Sequence, residues 1–294
     1  MKCSPIILFT YNRLDETQLA VDSLLKNSLA SRSNLYIFSD GPANESDALK
    51  VNAVRSYLKK INGFQHVEII EKETNLGLAN SVIQGVTEIM NDYDKVIVLE
   101  DDLVVSVNFL DFMNQALDFY NSHPNIFSIS GYTLDLPKLK DYPFDYYAGY
   151  RASSWGWGTW KNIWNEIDWE INDYNKFKYN FLSQIRFSRG GSDMPRMLKK
   201  QMNGKIDSWA IRWCYNQYKR NLVTIFPSKS KLVSIGAGDS ATHTKSISKF
   251  QTKIDSTDKK IFKFSSDIVL DKRILNQFRS KFSFYSRIKD KFNI

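Results

Sequence analysis

The sequence predicts an α/β protein with a mainly parallel central sheet flanked by helices. Short apolar runs at residues 6–9, 35–38, 67–70 and 96–99 alternate with stretches of helical periodicity. Each run is closed by polar or turn-forming residues, and 294 residues with 43% hydrophobic content suffice for a sizeable core.

The elements follow in order. Residues 6–9 run into Thr10-Tyr11-Asn12-Arg13 and read as a buried strand emerging into a loop. Residues 15–29 set Leu19, Leu24 and Leu25 among polar residues, a helical pattern. The strand at 35–38 ends at Ser39-Asp40-Gly41-Pro42, where Gly and Pro punctuate a turn. A helix over 46–60, a strand at 67–70, a helix over 80–90 and a strand at 96–99 complete the alternation, which implies βαβ units. Ligands of such sheets gather beyond the carboxyl ends of the strands. Three of these ends carry Arg13, Asp40 and Glu100-Asp101-Asp102.

After residue 105 the texture changes. A helix over 107–120 leads into aromatic-rich sequence that includes Tyr142-Pro143-Phe144 and Ser154-Trp155-Gly156-Trp157-Gly158-Thr159-Trp160. Such a half suits the shaping of a pocket better than the repetition of a fold unit. The chain thus divides into a first half, 1–105, a second half of the same domain, 106–244, and a tail, 245–294.

Charge separates the tail from the rest. Residues 245–294 hold 13 Lys/Arg against 5 Asp/Glu, while the first 244 residues hold 27 of each. That balance argues against nucleic acid as a partner, which calls for basic and aromatic residues on the body. In the tail Ile274, Phe278, Phe282, Tyr285, Ile288 and Phe292 recur at helical spacing between basic residues. Two arrangements fit: an amphipathic helix in a membrane interface, or a C-terminal helix packed on the body with solvated cations. Cys3 and Cys214, the only cysteines, form neither a disulfide framework nor a zinc site, and the N-terminus lacks the apolar core of a signal peptide. The expected location is the cytoplasm, with the inner face of the cytoplasmic membrane as the place where the tail would dock.

Three successive carboxylates at a strand end are costly when left alone. Like charges about 4 Å apart repel by roughly 4 kcal/mol at an effective dielectric near 20. A hard divalent cation, Mn²⁺ or Mg²⁺, would offset this and keep coordination sites for substrate phosphates. The alternative is a solvated turn whose charge favours the start of the next helix.

The run Glu100-Asp101-Asp102-Leu103, followed by Asn108-Phe109-Leu110-Asp111-Phe112, resembles the metal-binding segment of the N-acetylglucosaminyltransferase I family. The likeness extends more weakly over residues 5–243. Thr10-Tyr11-Asn12-Arg13 is similar to that family's nucleotide-contacting loop after the first strand, and Ser39-Asp40-Gly41 to the loop whose Asp helps hold the nucleotide. Ser154-Trp155-Gly156-Trp157-Gly158 resembles its acceptor-side stretch, and Asp207-Ser208-Trp209-Ala210-Ile211-Arg212 the segment whose first Asp is the catalytic base. Ser208 replaces that family's second Asp, and Asn75 stands roughly where it has a His. The strand pattern and Asn75-Leu76-Gly77-Leu78-Ala79-Asn80 resemble bacterial glycosyltransferases of family 2.

The resemblance implies a GT-A type, Rossmann-like fold and an inverting, metal-dependent transferase. It would move a sugar, N-acetylglucosamine or a similar hexose, from a UDP-sugar to a glycan or lipid-linked acceptor in bacterial surface polysaccharide synthesis. Asp102 and Asp101 would hold the metal, with Asp101 also on the donor side. Thr10, Asn12, Arg13, Asp40, Asn75 and Glu100 would contact the donor, and His243 would close over it from a loop. Trp155, Gly156, Trp157 and Trp209 would contact the acceptor, and Asp207 would act as general base. Each has an ordinary structural alternative: Asp40 as a turn former, Arg13 as a surface charge, Asp207 as the cap of a helix over 208–219, and the tryptophans, with Trp160, as core. The other readings are a non-catalytic carbohydrate- or nucleotide-sugar-binding protein of the same fold, or a sugar nucleotidyltransferase. The sequence lacks the Gly-rich phosphate loop that the latter usually carries after its first strand.

Overall fold

In the computed structural model, residues 2–236, 250–283, 285 and 286 are described. The first half is built from β1 (Ile6–Thr10), α1 (Leu14–Leu25), β2 (Asn34–Ser39), α2 (Glu45–Leu58), β3 (His66–Glu71), α3 (Leu78–Ile89) and β4 (Lys95–Glu100). The second half adds β5 (Leu103–Val105), α4 (Phe109–Phe119), β6 (Ile126–Ser130), β7 (Tyr146–Gly149) and β8 (Trp157–Trp160). Short helices α5 (Lys161–Trp164), α6 (Tyr174–Lys178), α7 (Phe181–Phe187) and α8 (Met194–Met202) follow. Then come α9 (Trp209–Lys219), β9 (Val223–Pro227), β10 (Leu232–Ser234) and α10 (Lys272–Lys281).

Eight strands form one sheet in the order β3-β2-β1-β4-β8-β6-β9-β7, and four of its seven pairings are parallel. The sheet therefore runs through both halves of the chain. β1 and β4 are buried almost throughout because helices cover both faces, as expected for near-continuous apolar strands of a parallel sheet. Gly85 lets α3 approach closely: a Cβ there would lie 2.9 Å from the Phe9 ring. β3 is an edge strand and is correspondingly half exposed.

The strand order reverses between β1 and β4, with Phe9 in register with Glu100. This is the switch point at which open α/β sheets leave a crevice, and it brings the ends of β1, β2 and β4 together as the sequence pattern predicts. The short antiparallel pair of β5 and β10, distant in sequence and not shown by the sequence pattern, places Ile235 and Gly236 directly over the acidic triplet.

Beyond β8 the core is aromatic. Trp157, Trp164, Trp169, Trp209 and Trp213 pack around one another with ring centroids 5.0–6.3 Å apart. Along 272–282 the tail takes the second of the two arrangements its sequence allows. Ile274 and Phe278 of α10, and Phe282 just beyond it, are buried, with Phe278 against Phe226 of β9. The stripe read as membrane-facing is therefore core along 272–282, while Tyr285 is exposed and Ile288 and Phe292 lie outside the described residues. Upstream, Phe262 and Phe264 pack against Phe112 of α4. No helix among the described residues is long and apolar enough to cross a membrane.

Candidate functional site

The loop after β1 is held by Asp47 in the first turn of α2. Asp47 accepts hydrogen bonds from the Tyr11 hydroxyl and the Asn12 amide, each at 3.0 Å. Asn12 is thereby turned toward α2. Arg13 points the other way: its guanidinium donates to Asp101 Oδ1 and, at 3.3 Å, to Asp102 Oδ2. The Tyr11 N–H also donates to Asp101, at 3.3 Å.

The loop after β2 is knotted to the loop before α3. Asp40 accepts from the backbone N–H groups of Leu76 and Gly77 at 2.9 and 3.1 Å, so both carboxylate oxygens are engaged. Asn75 returns the contact through its amide, which donates to the Gly41 carbonyl at 2.9 Å. Gly41 permits this closeness, since a Cβ there would sit 2.5 Å from the Thr74 carbonyl carbon. Gly77 has φ +74°, in the region that favours glycine, and starts α3 in place of a side-chain cap. Beneath the knot, the Arg55 guanidinium donates to the carbonyls of Ser39, Asp40 and Lys72.

The acidic triplet carries the strongest electrostatic stress. Burial pushes the Glu100 carboxyl up to about 8, helped by Asp102 and Asp101 and opposed by Arg13. Burial lifts Asp101 to about 6 and also raises Asp102, in both cases against the pull of Arg13. Arg13 is thus the cation that offsets the like-charge cost foreseen from the sequence. Among the described residues one buried carboxylate oxygen of the triplet, Asp102 Oδ1, has no hydrogen-bond partner, nor does the buried Thr10 hydroxyl. Among the described residues no three His, Cys, Asp or Glu side chains are grouped to cage a metal. Ile235 N–H donates to the Asp102 carbonyl at 2.9 Å, and a Cβ on Gly236 would overlap the Asp102 carboxylate.

A cavity of about 870 Å³ runs from this acidic end along the strand ends to the aromatic side. Thr10, Asn12, Arg13, Asp40 and Asn75 line it, as do Glu100, Asp101 and Asp102. Trp155, Asp207 and Trp209 line its other wall. Ser208, not Asp207, caps α9: its hydroxyl accepts from Ile211 N–H at 3.4 Å, and its own N–H is held by Gln201 at 2.6 Å. The Asp207 side chain is 64% exposed, with the Arg212 guanidinium 3.6 Å away.

Two of the residues read as acceptor contacts are elsewhere. Trp157 is buried among the other tryptophans and does not line the cavity, because β8 is a central strand covered on both faces. Trp160, the third tryptophan of the same stretch, is core for the same reason, its indole N–H donating to the Leu117 carbonyl at 3.0 Å. Gly156 turns the chain with φ +50° in a space where a Cβ would overlap Leu232, and its carbonyl accepts from Gly131. Trp155 alone of the three faces the cavity, edge-on to Tyr132 with centroids 4.8 Å apart. His243 lies outside the described residues.

Sequence reasoning did not single out Arg151, whose guanidinium forms a two-pronged pair with Asp193 at 2.9 and 3.0 Å. It lies over the Phe282 ring at 4.0 Å and lines the aromatic end of the cavity. Nor did it single out Asp47. An Asp three residues after an Asn at a helix start was the available signal, since Asn44 caps α2 by accepting from Asp47 N–H.

Residues 6–183 match the sequence profile of glycosyl transferase family 2. A comparison with curated proteins gives no match. Among solved structures, S. aureus TarS aligns with 44% of this chain and 21% of its own, at 18% identity and a TM-score of 0.32. The chain therefore spans about a fifth of the TarS chain it matches. The mannosyltransferase PcManGT from Pyrobaculum calidifontis, in complex with GDP-Man and Mn²⁺, aligns over 75% and 70% at 10% identity and 0.43. The galactosyltransferase LgtC, in complex with donor and acceptor sugar analogues, aligns over 74% and 72% at 12% identity and 0.36.

Proposed function

The chain belongs to glycosyl transferase family 2, and from that premise we propose that it moves a sugar from a nucleoside-diphosphate donor to an acceptor hydroxyl in this cavity, inverting the anomeric carbon. One observation carries the reading: an acidic strand end and an exposed carboxylate, Asp207, held by an ion pair with Arg212 at 3.6 Å, line the same cavity.

A divalent ion, Mn²⁺ or Mg²⁺, fits the acid pair. Asp102 keeps a buried carboxylate oxygen without a partner among the described residues, and one or two carboxylates completed by substrate phosphates are the usual surroundings of such an ion. Held by Asp102 and Asp101, the metal would neutralise charge on the departing diphosphate as a Lewis acid. Arg13 now balances these acids, and its planar fork suits a phosphate equally well. Glu100 would contact the sugar or ribose. Asp40 and Asn75 would act on the nucleotide by fixing the 75–77 loop, while Thr10 and Asn12 border it.

On the other wall Asp207 would take the proton of the attacking hydroxyl. Trp155 would stack on the acceptor sugar, with Trp209 beneath it. The resemblance in the sequence favours UDP and N-acetylglucosamine or a similar hexose as donor. It favours a glycan or lipid-linked sugar of a surface polysaccharide as acceptor.

Asp207→Asn should lower transfer by a factor of roughly 10²–10⁴ while leaving UDP affinity unchanged, whereas Asp102→Ala should weaken both. Calorimetric titration of UDP with and without Mn²⁺, beside an assay of released nucleoside diphosphate, checks this. Full turnover by Asp207→Asn, or UDP binding indifferent to metal, would sink the proposal. Metal-dependent UDP binding with no transfer to any acceptor would return the chain to the class of non-catalytic binders.

A further inference from the structure

The body of the protein has one face that is both apolar and basic. Tyr179, Phe181, Leu182 and Ile185 are 80%, 74%, 65% and 48% exposed within seven residues of chain. They are not a loose end. Asn180 caps α7 by accepting from Ser183 N–H at 2.9 Å, and the Gln184 amide donates to the Lys178 carbonyl at 2.9 Å. On the opposite side of α7, Phe187 is buried edge-on against Phe177 and Tyr215, both at 5.6 Å. The exposed residues are therefore a rigidly mounted platform, larger than the scattered apolar side chains that soluble surfaces normally show.

Charge along the platform's own stretch of chain is predominantly positive. From 174 to 206 the chain carries eight Lys/Arg and a single acid, Asp193. All eight cations are exposed, whereas Asp193 is consumed by its two-pronged pair with Arg151. The flanking acid Asp173 is likewise paired, with Lys219 at 3.2 Å. Lys176, Lys178 and Arg186 surround the apolar residues. α8, packed beside α7, adds Arg196, Lys199 and Lys200, the last of which lines the cavity.

We propose that the surface formed by α6, α7 and α8 docks onto an anionic lipid bilayer, with Tyr179, Phe181, Leu182 and Ile185 entering the headgroup region and the surrounding lysines and arginines meeting the lipid phosphates. Apolar side chains ringed by cations are the composition that binds such interfaces. Docking here sets the cavity mouth beside the membrane, where a lipid-linked acceptor would reside. The tail does not compete for this role along 272–282, where its apolar residues are already buried.

The test is sedimentation of the full chain with vesicles of phosphatidylcholine alone or of phosphatidylcholine with phosphatidylglycerol. Wild type should bind the anionic vesicles, bind neutral ones weakly, and release as salt rises. The triple variant Phe181→Ser, Leu182→Ser, Ile185→Ser should lose at least ~10-fold in affinity, as should Lys176→Glu, Lys178→Glu, Arg186→Glu. Both should keep wild-type thermal unfolding and UDP binding. The idea is overturned if wild type ignores anionic vesicles, or if both variants bind as wild type does. Loss only on replacing Arg287, Lys289 and Lys291 by Gln would also overturn it. So would light scattering that shows the platform mediating self-association without vesicle binding. Vesicle binding needs neither donor nor acceptor, so its failure leaves the transfer reading standing, and the reverse.

Discussion

At the scale of single residues, Trp155 and Trp157 stand two positions apart on either side of the turn at Gly156, φ +50°, and have opposite environments. Trp155 precedes β8 and borders the cavity against Tyr132 and Phe250. Trp157, in β8, is sealed among Trp164, Trp209 and Trp213. Trp157→Ala should therefore cost roughly 3–5 kcal/mol of stability, as expected for emptying a large buried ring site. Trp155→Ala should cost much less stability and instead raise the KM for acceptor. Chemical denaturation and acceptor titration separate the two, and equal losses of stability would contradict the placement. The sequence displayed the motif but not its facing: a regular strand would put both tryptophans on one face, and only the turn at Gly156 separates them. Asp207 shows the converse: its neighbour Ser208 takes the capping role that the pattern left undecided, and the Asp207 carboxylate stays exposed beside Arg212.

At the scale of elements, the strand ends bearing Arg13, Asp40 and Glu100-Asp101-Asp102 were legible because alternating apolar runs and helices fix a parallel order. The β5–β10 pair was not, because three-residue strands far apart in sequence carry no period of their own. It is secured by Lys231, whose ammonium is buried and paired with Asp255, with Asn108 donating to the same carboxylate at 3.1 Å. Burial works to raise the Asp255 carboxyl, but the hydrogen bond and charge of Lys231, with the N–H and hydroxyl of Thr257, leave it at about 2. Folded below its ordinary value near 3.8, the group adds stability that is complete above pH ~4 and disappears as pH falls through about 2. Asp255→Asn should thus destabilise the protein by about 3–5 kcal/mol at neutral pH, where it strands a buried ammonium. The gap to wild type should close between pH 4 and 2. Adding Lys231→Met to Asp255→Asn should recover much of the loss at neutral pH. Urea midpoints across that range check both; a constant gap, or no recovery, would show the pair to be unimportant.

At the scale of the whole molecule, summed charge misplaces the interface. Counting along the sequence puts the entire excess in residues 245–294 and leaves the body neutral. The fold reverses the picture: ion pairs absorb body acids such as Asp173 and Asp193 and leave the cations of α6–α8 exposed. The described part of the tail, meanwhile, lends Phe262, Ile274, Phe278 and Phe282 to the core. Removing residues 250–294 would uncover Phe112 and Phe226, discard the buried Phe262, Ile274, Phe278 and Phe282, and strand Lys231. Each buried apolar side chain contributes roughly 1.5–3 kcal/mol and the unpaired ammonium costs about 3–5 kcal/mol. Together these are comparable with the whole of the roughly 5–15 kcal/mol that holds a domain folded. The truncated chain should therefore fail to unfold cooperatively and should bind a hydrophobic dye, as calorimetry and fluorescence would show. A detachable membrane arm makes the opposite demand: the first 249 residues alone would melt near the temperature of the full chain.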